Sequence, residues 1–200
     1  MHCERKILDN FYWVGANDRR IELFENAYPV PNGISYNSFL LTDEKNILVD
    51  GVDSAVTNLF IENIKYILQD RPLDYVIINH MEPDHCAGFI EIAVHYPNVQ
   101  FIGNAKTIKL FKQLYPNIKL ENFIIVNEGD SFSAGKFQFQ FMLAPMVHWP
   151  EVMVTYESTT KTLFSADAFG TFGALNGNLF FDEIVNKEEY FTESRRYYSN

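Results

Sequence analysis

The sequence has little cysteine: in 200 residues only Cys3 and Cys86 carry a thiol. Two thiols so far apart do not make a disulfide framework, and a reducing cytoplasm is the expected compartment. Basic residues are scarce as well, 16 against 26 acidic, and the formal charge of −10 argues against a nucleic-acid or anionic-membrane surface. No apolar run approaches the ~18 residues of a membrane span. The start, Met1 to Lys6, has no apolar stretch behind it, so the expectation is a soluble protein that is not exported. Low-complexity segments, internal repeats and linkers are missing too. What is plentiful is apolar and aromatic, 47% and 16%, ample for the core of one domain spanning 1–200.

Taken in order, the first fifty residues read as short β-prone runs, 10–14, 20–24, 35–41 and 46–49, separated by turn-forming stretches. That predicts an antiparallel meander. Asp53-Ser54 can cap a helix to about Leu68, with Val56, Leu59, Phe60, Ile64 and Ile67 at helical spacing. Strands and helices then alternate: strands over 75–78, 100–103 and 123–126, helices over 86–96 and 105–114. Two hairpins follow, 131–133 with 136–143 and 152–156 with 162–166, and an amphipathic tail closes the chain over 186–198. Strands, then alternating helices and strands, then strands again predict an α/β fold of two sheets packed face to face with helices outside.

One stretch concentrates metal-binding side chains: His80-Met81-Glu82-Pro83-Asp84-His85, directly after the apolar run 75–78. Pro83 disfavours helical dihedrals at Glu82, so the stretch reads as an extended loop with His80, Glu82 and Asp84 along one edge. His85 then swings to the same cavity as the chain turns into its next helix. Clustered carboxylates repel unless a cation lies between them, which makes a metal site the natural reading and a solvated polar loop the bland one. Two further candidates stand at strand ends. His148 lies in a loop between Pro145 and Pro150, and Asp167 ends the run 162–166. Taken singly, a loop histidine is more often structural and a strand-end Asp more often a turn former.

Together, His80-x-Glu82-x-Asp84-His85, His148, and Asp167 within Leu163-Phe164-Ser165-Ala166-Asp167-Ala168-Phe169-Gly170 resemble the metallo-β-lactamase-like core of the flavodiiron proteins. Trp13-Val14-Gly15-Ala16-Asn17-Asp18 and Gly33-Ile34-Ser35-Tyr36-Asn37-Ser38 are similar to that family as well. The resemblance implies an αββα sandwich with a non-haem, oxo- or hydroxo-bridged pair of iron ions at one sheet edge. It places His80, Glu82 and His148 on one iron and Asp84 and His85 on the other, with Asp167 bridging. Zinc hydrolases of this fold usually carry a histidine where Glu82 stands, and the swap gives a harder site better suited to iron. Two divalent ions would bring the formal charge from −10 to −6.

The family supplies one more histidine to the second iron from beyond residue 200. His2 and His95 do not fit that role, so either the second iron has an incomplete shell or, the favoured expectation, this is a core whose C-terminal part is missing and the chain continues past Asn200. No flavodoxin-like phosphate loop is present, so FMN is expected only on a further domain or a partner. Reducing O2 to water takes four electrons and a diferrous pair holds two, whereas joining two NO into N2O takes two. The leading expectation is therefore an O2- or NO-reducing protein fed by a flavin domain or an electron-donor protein, in a homodimer as the family implies. The alternatives are a flavodoxin-less oxygen-binding sensor with a signalling partner, and a dinuclear zinc hydrolase. Asp50 is expected either to orient a ligand imidazole or to serve a turn. Tyr197 or Tyr198 is expected to pack the core or to hydrogen-bond a bound oxygen species, and Cys86 to be inert.

Overall fold

The computed structural model describes residues 2–118 and 123–199. A continuation past Asn200 lies outside the described residues. The chain opens with β1 (Arg5–Leu8) and β2 (Phe11–Trp13), then leaves the sheet for two small excursions. β3 (Ala16–Asp18) pairs with β6 (Ile34–Tyr36), and between them β4 (Leu23–Phe24) and β5 (Tyr28–Pro29) form a hairpin. The strand expected over 20–24 shrinks because Arg20 folds back on Asp18, giving its backbone N–H and guanidinium to that carboxylate at 2.8–2.9 Å. The chain returns as β7 (Phe39–Thr42) and β8 (Asn46–Val49), so the expected single meander is a four-stranded one, β1-β2-β7-β8, with a side excursion.

Asp53 accepts from Ala55 N at 2.7 Å, and α1 (Thr57–Leu68) follows as expected. Then come β9 (Tyr75–Ile77), α2 (Pro83–Cys86), α3 (Phe89–His95), β10 (Gln100–Gly103), α4 (Ala105–Leu114) and β11 (Phe123–Ile125). From β8 onward the seven-stranded sheet is parallel, in the order β8-β9-β10-β11. The helix expected over 86–96 is two helices. The break falls at Ala87-Gly88, where Gly88 N–H donates to Val52 O at 3.1 Å and a Cβ on Gly88 would lie 3.3 Å from the Phe60 ring.

β12 (Ser131–Ala134), β13 (Phe137–Leu143), β14 (Met153–Glu157) and β15 (Thr162–Phe164) form the second, antiparallel sheet, and α5 (Lys187–Tyr197) ends the chain. Alternation on β13 sets the faces: Phe137, Phe139 and Phe141 are buried while Gln138 and Gln140 are exposed. The three rings pack with Leu41, Ile47, Val49 and Ile77 of the first sheet. Leu40, Leu48 and Val76 of that sheet point the other way, onto Phe60 and Ile64 of α1, Phe89 of α3 and Phe111 of α4. Each buried ring contributes about 1.5–3 kcal/mol. The stack places the ends of β8, β9, β13 and β15 along one edge.

Candidate metal centre

At that edge a buried polar set joins the two sheets. Asn79, leaving β9, gives its N–H and Nδ2 to the two carboxylate oxygens of Asp50 at 2.7 and 3.0 Å, and its Oδ1 accepts from Thr155 of β14 at 2.7 Å. The next residue, His80, is therefore held between both sheets. Glu82 is extended, φ −66 and ψ 147, as the following proline requires, and Pro83 takes the first position of α2. Asp84 and His85 thus stand on a helical turn. Asp84 does not share an extended edge with His80 and Glu82, because Pro83 starts a helix rather than prolonging the strand. From the second sheet, Met146 (φ 67) precedes the His148 corner, and Ala166 (φ 50) and Phe169 (φ 67) bracket Asp167. Left-handed backbone at side-chain-bearing residues costs of order 1 kcal/mol each and gathers where geometry is constrained.

All six candidate residues come together. Ligand-capable atoms of His80, Glu82, His148 and Asp167 lie within 4.8 Å of one another. Glu82 Oε2 is 3.1 Å from His80 Nε2 and 3.0 Å from His148 Nε2. Asp167 divides its oxygens: Oδ2 is 3.1 Å from His148 Nε2 and 3.4 Å from His80 Nε2, while Oδ1 is 2.6 Å from His85 Nε2. Asp84 Oδ2 is 3.7 Å from the same His85 nitrogen. A cavity of about 520 Å³ opens beside Asp84, His85 and Asp167, walled by Phe164, Phe169 and Tyr197 among others.

The charges are strongly interdependent. Burial works against protonated His80, yet the Glu151 and Glu82 carboxylates raise it to about 9. Burial likewise opposes His85, which Asp84 and Asp167 raise to about 10. Glu82 is lowered to about 2 against its burial, through His80 and Glu25, and Asp167 is also lowered against its burial, chiefly by His85. Asp84 moves the other way, to about 6, because burial outweighs His85.

Two carboxylates here were not found from sequence. Glu151 accepts from His80 Nδ1 at 2.8 Å; an acid opening the apolar run 152–156 was the available signal. Glu25 hydrogen-bonds Glu82 and is raised to about 7, first by that bond and then by burial. It arrives through the β4–β5 turn, where Glu25 and Asn26 take φ 52 and 56, and no sequence signal marks it. Asp50 hydrogen-bonds Asn79 rather than an imidazole. Tyr197 packs on Phe172 and against Gly170, while the Tyr198 hydroxyl accepts from Phe169 N–H, so both tyrosines hold the turn that follows Asp167. Cys86 is buried against Tyr115 and raised to about 12 by burial, as befits an inert thiol. His95 is exposed beside Lys65.

The donor set fits divalent ions. Asp84 Oδ1 is buried without a hydrogen-bond partner, and among the described residues neither lysine nor arginine lines the cavity. Buried carboxylates without donors are unfavourable unless a cation meets them. In comparison with known proteins, residues 34–198 match the family described as ODP family beta lactamase. The chain belongs to this family. It is 35% identical over 196 residues to the anaerobic nitric oxide reductase flavorubredoxin of Shigella dysenteriae, a match covering 97% of this chain and 40% of that protein. Among solved structures, rubredoxin oxygen:oxidoreductase from Desulfovibrio gigas superposes with a TM-score of 0.93 at 28% identity, covering 99% of this chain and 49% of the other. The flavodiiron protein from Giardia intestinalis gives 0.91 at 28%, covering 99% and 47%. The flavodiiron resemblance and the metallo-β-lactamase-like fold read from the sequence both stand. The ODP-family chain spans half or less of the length of these relatives. Among the described residues no helix is long and apolar enough to cross a membrane.

Proposed function

We propose that this ODP-family chain is the diiron core of a protein that reduces O2 or NO. In this reading His80, Glu82 and His148 would hold one iron and Asp84 and His85 the other, with Asp167 offering an oxygen to each side. The observation that carries the reading is the division of Asp167, whose Oδ1 faces His85 at 2.6 Å and whose Oδ2 faces His148 at 3.1 Å. A zinc pair held mainly by imidazole would not call for three carboxylates, whereas those carboxylates nearly neutralise two ferrous ions. When bound, the pair supplies Lewis acidity and two electrons. The chain's own residues supply the rest. Tyr197 packs against Gly170 and steadies the turn that follows Asp167, and the cavity walled by Phe164, Phe169 and Tyr197 gives a small diatomic molecule a seat beside His85.

The choice of gases follows the relatives named as a nitric oxide reductase and an oxygen oxidoreductase. Because O2 needs four electrons, a flavin-bearing segment or a separate donor protein supplies the remainder, and the working form is a homodimer. The test is quantification of iron, manganese, zinc and flavin in anaerobically prepared protein, followed by O2 and NO consumption with and without added reductant and by mass measurement in solution. An iron pair per chain with reductant-dependent gas consumption is expected. Zinc in place of iron with no gas consumption would overturn the proposal in favour of a hydrolase.

A further inference from the structure

We propose that Glu151 is the positioning residue of the His80 half of the centre, fixing the proton on His80 Nδ1 so that the Nε2 lone pair faces the ion and lending the imidazole negative charge from behind. The inference rests on the metal-centre reading above. His80 is fully buried, so its far nitrogen has no solvent to orient it, and the atom that meets Nδ1 is Glu151 Oε1 at 2.8 Å. An ionised carboxylate only accepts, which assigns the proton to Nδ1. The carboxylate is itself anchored. Oε1 also accepts from Met81 N–H at 2.9 Å, and the Glu151 carbonyl accepts from Asn104 Nδ2 at 2.6 Å. Asn104 is fixed in turn, since its Oδ1 caps α4 by accepting from Lys106 N and Thr107 N. Trp149 closes the remaining side, its ring edge-on to His80 at 5.3 Å.

The argument for charge, not merely shape, comes from the other oxygen. Glu151 is 1% exposed, and Oε2 is buried with no hydrogen-bond partner. A glutamine would keep both bonds accepted by Oε1 while avoiding a buried charge, so a purely structural tether would be better made by Gln. The carboxylate is explained if its charge acts on the histidine and, through it, on the ion.

The experiment compares wild-type protein with Glu151→Gln, both loaded with iron anaerobically. In Glu151→Gln, with circular dichroism unchanged, one of the two ions is expected to bind about 10–100-fold more weakly, and its midpoint potential is expected to rise. Unchanged affinity and potential in the folded variant would overturn the proposal. A second measurement needs no variant: long-range 15N–1H spectra of the zinc-loaded wild type should show His80 protonated at Nδ1 and bound through Nε2. The opposite tautomer would overturn it equally. If wild-type protein binds no metal, the metal-centre reading fails; if it does and Glu151→Gln matches it, only the role of Glu151 fails.

Discussion

The two halves of the centre are built differently. The His80, Glu82 and His148 half draws side chains from a loop of the first sheet and a corner of the second, and a buried carboxylate stands behind His80. The Asp84 and His85 half comes from a single turn of helix, faces a cavity of about 520 Å³, and keeps one buried carboxylate oxygen without a partner. In the first half both imidazoles already meet carboxylates, His80 between Glu151 and Glu82 and His148 against Glu82, although Glu151 Oε2 is an orphan like Asp84 Oδ1. The second depends on what enters from the cavity side. Affinity should therefore concentrate in the first half and exchange in the second, with Asp167 joining them.

The largest break comes from removing the shared residue. Asp167→Ala should empty both halves, with a loss of affinity exceeding about 100-fold, read as near-complete loss of iron by elemental analysis. Retention of a full pair would show that the halves are independent. Next, Glu82→Gln and His85→Ala should each remove one ion but differ in which. His85→Ala should keep the ion of the first half, and Glu82→Gln should leave the other half weakly filled, distinguishable by titration with ferrous iron. Equal behaviour would remove the distinction drawn above.

A smaller effect is expected away from the ions. Glu157, at the end of β14, accepts from Gln138 N, Thr159 N, Thr160 N and Thr160 Oγ1, anchoring the turn into β15, the strand that leads to Asp167. Its carboxyl is lowered from 4.5 by these donors although burial pulls the other way. A lowered folded pKa contributes stability that is present above 4.5 and lost as pH falls through the folded value. Glu157→Gln should cost about 1–3 kcal/mol by turning a donor toward Thr160, and thermal melts of the variant should depend less on pH in the acid range. A variant with the wild-type acid profile would contradict this. The smallest change is Tyr197→Phe, which removes one hydroxyl from the cavity that Asp167 also lines and should leave metal content intact while altering the absorption of the loaded centre.

Much of the centre was readable in the sequence because its residues stand where strands end, and strand ends are marked by local apolar runs and by proline. His80, Glu82, His148 and Asp167 stand in loops that follow strands, and Asp84 and His85 on the helical turn that Pro83 begins. The two missed acids were not legible in that way. Glu151 meets His80 across 71 positions of sequence, and only the packing of the second sheet on the first brings them together. Glu25 reaches the site through two successive left-handed residues, neither of them glycine, which turn chemistry would not anticipate. Asp84 was placed on the wrong kind of backbone because proline both ends extended structure and begins helices, and the letters alone do not say which. The long helix expected over 86–96 is interrupted because Gly88 gives its N–H to Val52 O instead of to a carbonyl one turn earlier in the helix.

His148 differs from the other imidazoles in one respect: its side chain is 56% exposed, whereas those of His80 and His85 are 0% and 15% exposed. Of the three residues that would hold the first-half ion, it is the one solvent reaches freely, whereas the second half meets solvent through its cavity. A chelator should therefore strip the first-half ion at a rate set by how fast this one surface imidazole turns aside.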